Sequence, residues 1–589
     1  MKFILLISSF LITLLNAVVI NEVELEKLSQ DSTWLKLLHF KDGQSTIIDK
    51  NFFLDDNGVI SAKKELKKTI EAYYKPFNNP NEHAQCRYPA RYYWLSSKIK
   101  LKNYQSIPLK CTRLKSWKLL ENTHSISVIF VSGYLGNPAS AFGHSFIKIN
   151  QSENVEENLF DTSISYGALL PPEYTMPEYV YNGITGGYKA AYSDKYYYHQ
   201  DITYSNEEHR EMWEYRLKLS EKKKKIFLLH SWELMGKKFQ YFFLNRNCGY
   251  KVSELLELVL NENIIESAFI WYAPIETFHK LKEIDKKSEN IIDKIIYIPS
   301  KEQQLYAHYN GLSDNEKEIV VKMIEKKLNN IPINFKNSSK EEQGNSLDFI
   351  LAYHKYHFPK KSNRQLLFNR LKFPMRSKKI ASTKNKTNIT DYVAPSYIGL
   401  SSQKESSINL HWSPFALEKD AYNGLDGDEL VVLETTINIQ NKNIKLSKFD
   451  LIRILKLKTE QLPFDEENPF SWNLHIGTEN QNGRDYFGKA GAGLAWKINP
   501  YIKAYTMVDL SLHTQKNHYR ITPKIGLFNN FNHLRIASTF GYEKDIEHGH
   551  LEKVIEATTQ YQLKENLSLF AKYNLNHNEK IEVGIKIFY

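Results

Sequence analysis

Cys248 follows Asn247 where a strand pattern gives way to a helix pattern, and a thiol held at such a turn can serve as a nucleophile. Phe239, Tyr241 and Phe243 alternate as in a strand, and Asn245, Arg246 and Asn247 interrupt them. Val252, Leu255, Leu256 and Val259 then recur at helical spacing. The thiol is therefore expected at or just inside a helix N-terminus, where the helix dipole and unsatisfied N–H groups favour thiolate. Such a nucleophile needs a base. Of the 19 histidines, His144 is best placed, because Phe142, Gly143, His144, Ser145 and Phe146 set it at the start of a strand after a flexible loop. Its imidazole could take the thiol proton and return it to a leaving group, the general acid–base chemistry of acyl transfer. A third polar group would orient the ring, and Asp161, Ser163 and Ser165 on the following strand are all open to that role. The backbone N–H groups of Cys248 and Gly249 could form an oxyanion hole.

Cysteine arithmetic singles out the same residue. The chain has three cysteines. Residues 1–17 read as an export signal: Lys2, a largely apolar run, then small Ala17. The mature protein is thus expected where disulfides form, with Cys86 and Cys111 as the natural pair and Cys248 left over. The bridge would close a loop of about 25 residues and contribute roughly 3 kcal/mol by the chain-entropy relation.

Composition narrows the function classes. There is no nucleic-acid motif, so no nucleic-acid partner is expected. The formal net charge of +11 is spread thinly, with local basic runs at 222–225 and 376–386. That distribution reads as solvated faces and a linker, with a weak preference for anionic lipid or polymer surfaces. The histidines lack paired ligand spacing, so neither a metal nor a cofactor is expected. Tyr and Phe are frequent, at 37 and 31, as suits a strand-rich chain with an aromatic-rich interface.

Several elements must position this chemistry. Residues 18–120 read as a small N-terminal domain carrying the bridge. Residues 121–265 read as the Cys/His domain: strands near 126–131, 144–149 and 159–166, a Gly/Pro-rich turn at 133–143, and a helix at 220–235 closed by Gly236. Residues 266–375 read as a helical extension, in which Ser313 and Glu316 make a capping box before Ile319, Val320 and Met323. Residues 376–394 read as a linker. From 395 to 589 the chain becomes all-β, with ten-residue alternating segments such as 486–498, 501–513, 518–528, 533–542 and 580–589. About twelve strands are expected. In the last, Ile581, Val583, Ile585, Ile587 and Tyr589 share one face, as in a lipid-facing strand closing on an interfacial aromatic. This ending resembles the signal read by the outer-membrane barrel-assembly machinery. The fold class expected is therefore multidomain α+β: a thiol domain with a helical extension, then an antiparallel β-barrel.

Residues 125–275 resemble the Lnb N-terminal periplasmic domain family. The pieces that match are Gly143 to Phe146, Gly183 to Tyr188, Arg210 to Leu217, Trp232 to Leu234, and Tyr241 to Cys248, in the family's order. The family is similar to circularly permuted papain-like (NlpC-type) thiol enzymes, in which a histidine precedes an Asn-Cys nucleophile. The resemblance implies a papain-like α+β core with Cys248, His144 and Asn247 in the site. It also implies chemistry like that of the lipoprotein intramolecular acyltransferase, with lipoprotein or phospholipid acyl esters as substrates and outer-membrane lipid as a partner. A serine at 165, where asparagine is common in the family, leaves the third member open between Asp161 and Ser165. The barrel and the segment around Cys86 are departures from that enzyme. The localisation expected is the outer membrane, with the catalytic domain in the periplasm. Two rivals are a cell-wall amidase or peptidase with the same dyad, and a catalytically silent barrel-anchored binding or transport protein.

Overall fold

The computed structural model describes residues 21–101, 109–135, 140–153, 159–265, 271–325, 333–358, 363–374, 386–403, 407–425, 427–464, 469–480, 483–515, 518–576 and 578–589. The expected export signal, residues 136–139 of the Gly/Pro turn and the first half of the expected linker lie outside them. Two compact units divide at Ser300/Lys301. No helix among the described residues is long and apolar enough to cross a membrane.

The amino-terminal unit is built on a seven-stranded antiparallel sheet. Its strands are β1 Ser125–Val131, β2 His144–Asn150, β3 Thr162–Ala168, β4 Tyr188–Tyr196, β5 Met212–Leu217, β6 Lys238–Tyr241 and β7 Ile292–Ile298, in the order β6-β4-β3-β2-β1-β5-β7. β1 and β5 are buried at every residue, so helices must cover both faces. Those that matter here are α1 Pro89–Lys98, α2 Glu221–Leu234, α3 Cys248–Leu260 and α4 Pro274–Ile284. One expectation changes. The region 266–375 was expected to be helical, yet Ile292–Ile298 forms β7 on the edge beside β5, as its β-branched run suits a strand. Residues 18–120 pack within the same compact unit as the sheet. The Glu233 carboxylate on α2 accepts from the Ala90 and Arg91 N–H groups (2.6 and 3.1 Å), and Lys36 donates to the Glu257 carbonyl on α3. The segment shares the thiol domain's core, and Cys86 and Cys111 are bridged within it.

Two clusters of buried charge in this unit are paired, which offsets their desolvation. Arg91 meets Glu65 at 2.6 Å, with both side chains fully enclosed. On the sheet, Lys148 reaches Glu214 at 3.0 Å and Asp161 at 3.7 Å, and Ser127 Oγ donates to Glu214.

The carboxy-terminal unit begins with helices. Asp314–Glu325 starts at the expected capping box: the Ser313 N–H donates to Glu316 and the Glu316 N–H returns to Ser313 Oγ. Twelve antiparallel strands follow: β8 Tyr397–Gln403, β9 Ser407–Ser413, β10 Glu429–Gln440, β11 Asn443–Lys456, β12 Ser471–Asn480, β13 Arg484–Asn499, β14 Ile502–His513, β15 Tyr519–Phe531, β16 Leu534–Asp545, β17 Leu551–Lys564, β18 Leu567–Asn576 and β19 Asn578–Phe588. Each pairs with its neighbours in sequence, β9 with β10 included, and β19 pairs back onto β8 from Tyr397↔Phe588 to Gln403↔Glu582, so the ring is closed. Closure leaves no unpaired edge, the condition for spanning a bilayer with strands.

The alternation in β19 sorts as expected. Ile581, Val583, Ile585, Ile587 and Tyr589 are exposed on the outside, whereas Lys586 and Phe588 are buried inside. The interior holds an ion network: Arg453 on Glu434 (2.7 Å), Lys448 on Asp450 (2.7 Å) and His475 on Asp450 (2.9 Å). Residues 415–425 between β9 and β10 also turn inward. The short strand Phe415–Leu417 pairs with the start of β10, Glu418 forms an ion pair with Lys586, and Arg535 donates to the Ala421 carbonyl at 2.7 Å.

Candidate active site around Cys248

Asn247 makes the turn that presents Cys248. Its Oδ1 caps α3 by accepting from the Tyr250 N–H (3.3 Å). Its Nδ2 donates to the carbonyls of Phe243 (3.0 Å) and Tyr272 (2.7 Å). All three bonds fix backbone, so Asn247 is a positioning residue. Cys248 is the first residue of α3, and it is free and buried. Its Sγ accepts from the N–H of Ser145 on β2 and faces the N–H groups of Cys248 and Gly249. His144 is joined to that Ser145 amide by one peptide bond, so β2 passes the thiol at the residue next to the expected base. Gly143 sets the strand's start: its φ is +92°, and a Cβ there would lie 2.8 Å from the Phe130 ring and 2.9 Å from the Val131 carbonyl.

The protonation states differ from the expectation. The helix terminus was expected to favour thiolate. Burial pushes the Cys248 thiol up instead, against the amides and the Arg210 charge that pull it down. Burial also pushes His144 down, to about 3, and Arg210 adds to the effect. At neutral pH both partners are therefore uncharged at rest.

Arg210 is the site residue that sequence reasoning missed. It is buried, its Nε donates to the Ser132 carbonyl (2.6 Å), its Nη1 meets Glu208 (2.7 Å), and it lies over the Tyr204 ring. The Tyr204 ring is in turn 5.4 Å from that of His144. Arg210 stood within a matching motif, but nothing in its neighbours in sequence marked it as facing the thiol.

The two candidates for a third member lie elsewhere. Asp161 accepts from the Gln151 N–H (3.0 Å) and pairs with Lys148, which is four residues along β2 from His144, or about 13 Å at strand rise. Ser165 Oγ accepts from Gln200 Nε2 at 2.7 Å, and Gln200 also reaches Ser163. The structure thus sets Cys248 and Gly249 behind the Asn247 turn, places His144 next in sequence to the residue whose amide bonds the thiol, and ties Asp161 and Ser165 into other bonds.

Comparison with known proteins agrees with this division. Residues 113–284 match a family profile described as the Lnb N-terminal periplasmic domain. Residues 26–98 and 419–588 match two profiles described as domains of unknown function, DUF7843 and DUF7840. No curated protein matches. Solved structures similar to the barrel include the KdgM porin in complex with disordered oligogalacturonate (10% identity, TM-score 0.22, 33% of this chain and 98% of that chain). Another is the outer membrane channel DcaP of Acinetobacter baumannii (8% identity, TM-score 0.18, 33% and 96%). The chain thus joins a region, residues 113–284, that is similar to the Lnb N-terminal periplasmic domain to a closed twelve-stranded antiparallel barrel.

Proposed function

We propose that the amino-terminal unit is a thiol acyl-transfer enzyme acting on lipoprotein or phospholipid acyl esters at the periplasmic side of the outer membrane. The observation that carries this reading is the free Cys248 thiol at a helix N-terminus, bonded by the amide next to His144 and sharing the Arg210 field with it.

Its chemistry follows from the resting neutrality of the pair. Cys248 Sγ attacks the ester carbonyl while its proton passes to His144. The carbonyl oxygen becomes an oxyanion beside the N–H groups of Cys248 and Gly249 and within the Arg210 field. Arg210 makes the imidazolium unfavourable, so His144 is a weak base but a strong acid. Strong acid is what an ester needs, since its leaving group is an alkoxide. The C–O bond breaks, the proton moves from His144 to the alcohol, and a thioester remains on Cys248. An acceptor amine, or water, then attacks the thioester, gives its proton to His144 and releases the acyl group, and the thiol regains its proton.

Intact-mass analysis of outer-membrane lipoproteins from cells carrying wild-type protein or Cys248→Ala tests this. A shift of one acyl chain in the position or number of lipid groups supports the reading. Unchanged lipoproteins and phospholipids, together with altered muropeptides, would replace it with cell-wall cleavage.

A further inference from the structure

The exposed apolar side chains of the amino-terminal unit are concentrated. Among its described residues, large apolar side chains exposed outside 159–202 are only Val23, Ile48, Ile60 and Ile295. Within that stretch, Leu169, Leu170, Tyr174, Met176, Tyr181 and Ile184 are exposed, and Pro171, Pro172 and Pro177 among them are exposed too. Exposed apolar side chains concentrated in one stretch in this way point to an interaction site rather than to scattered surface residues.

The helix Met176–Thr185 within it carries more apolar arc than its core contact uses. Tyr179 and Gly183 face inward, and a Cβ at Gly183 would lie 2.2 Å from the Phe243 ring. Met176, Val180 and Ile184 form the adjacent line at i, i+4 and i+8, with Tyr181 beyond them, while Glu178, Asn182 and Thr185 hold the remaining arc. This is the pattern of a helix lying in a bilayer interface, with tyrosines at headgroup level and a polar far side. Exposed Lys189 and Lys195 on the adjoining strand β4 are offset by exposed Asp194, Glu173 and Glu178, so the fit to a lipid surface rests on the apolar and tyrosine side chains.

We propose that residues 169–184 dock the amino-terminal unit onto the inner leaflet of the outer membrane. The barrel on the same chain confines this unit to that membrane, so a lipid surface is the partner always within reach. The docking helix also packs on the nucleophile's turn. The Phe243 N–H donates to the Gly183 carbonyl (2.8 Å), the Tyr179 ring meets that of Phe243 at a tilt with centroids 5.0 Å apart, and the Phe243 carbonyl is the one Asn247 holds. Acyl chains leaving the leaflet would thus meet the layer next to Cys248. This deepens the acyl-transfer reading and rests on it for substrate, but not for docking.

Full-length protein reconstituted into phosphatidylethanolamine/phosphatidylglycerol vesicles gives the test. In a Cys248→Ser background, a bimane label at Tyr181→Cys or Ile184→Cys should be quenched by brominated lipid, and a label at Ile60→Cys should not. Equal quenching at 181 and 60 overturns docking, whatever the activity. In the otherwise wild-type protein, Tyr181→Ser/Ile184→Ser should reduce turnover of vesicle-embedded acyl ester by about tenfold or more. Turnover of a short-chain soluble thioester should stay unchanged. An equal fall on both substrates would overturn a lipid-docking role, and loss of all turnover in wild type with quenching intact would sink the enzyme reading alone.

Discussion

The two units solve the burial problem with opposite arrangements. In the amino-terminal sheet, β1 and β5 are enclosed on both faces, and polar side chains such as Ser127, Lys148 and Glu214 form a small island within an apolar core. In the barrel, polar groups are the interior, and the aliphatic residues of β14 (Val508, Leu510, Leu512) and β19 point outward. One sheet buries greasy residues from water. The other presents them to lipid and buries ions in a lumen. The difference teaches where each unit is vulnerable: the sheet at its few buried charges, the barrel at its buried interior ion pairs and at a charge placed on its outer face.

The largest effect that could break this contrast is chemical. Only the amino-terminal unit should hold a reacting group, so Cys248→Ala and His144→Ala should each lower acyl transfer by about a thousandfold or more while both units stay folded. Near-wild-type rates in His144→Ala would require another base. The neutral pair also implies slow alkylation of Cys248 by iodoacetamide at mildly acidic pH, speeding up as pH rises beyond the ordinary thiol range. Rapid labelling at pH 6 would show instead a preformed thiolate.

Next come the buried lysines. Lys586 is fully enclosed, and Glu418 is its ion-pair partner among the described residues. Removing one partner of such a pair typically costs about 3–5 kcal/mol. Glu418→Ala should therefore abolish or strongly lower the heat-modifiable, folded form of the barrel on gels. Lys148 has a second carboxylate, Asp161 at 3.7 Å, so Glu214→Ala should destabilise the amino-terminal unit by less. The reverse ranking would mean that the lumen admits enough water to solvate Lys586.

A smaller effect concerns pH. His144 is held near 3 in the folded protein and titrates near 6.5 when unfolded, so its contribution is fully present above pH 6.5 and is lost as pH falls toward 3. At pH 5 the loss amounts to about 2 kcal/mol. His144→Gln should flatten that part of the stability profile, followed by tryptophan fluorescence during urea unfolding. The smallest direct effect is at the rim. Tyr589→Asp removes an exterior aromatic that accepts from Trp412 Nε1 at 3.0 Å, and a charge near the interface costs roughly 0–1 kcal/mol. Its larger consequence should be less assembled protein in outer-membrane fractions, and unchanged assembly would argue against a role for the last residue as a signal.

Legibility in the sequence divided along the same line. Barrel strands were readable because lipid and lumen impose a strict period of two, and twelve strands were both expected and found. The positions of Asn247 and Cys248 at a helix start were readable because a strand, a polar break and a helix follow one another locally, and that of His144 at a strand start because a glycine-containing turn precedes it. What depended on long-range packing was hidden. Arg210 reaches the site only once β5 and β1 pair, and no local pattern marked residues 415–425 as folding inward. The thiol's direction of shift was misjudged, because helix-terminal amides are visible in a sequence and complete burial is not. Ile292–Ile298 did carry a signal, a β-branched run beside a tyrosine, which the helices around it obscured.

The seam between β8 and β19 also fixes an order of events. The ring cannot shut until the chain has delivered Asn578–Phe588 to Tyr397–Gln403, whereas Cys86, Cys111, His144 and Cys248 all precede the first barrel strand. During export the thiol unit has every residue it needs while the barrel is still an open ribbon with two unpaired edges, the state most prone to aggregation. Folding of the first unit, and oxidation of its disulfide, can therefore run to completion ahead of anchoring, so that what reaches the membrane is a finished domain towing an unfinished one.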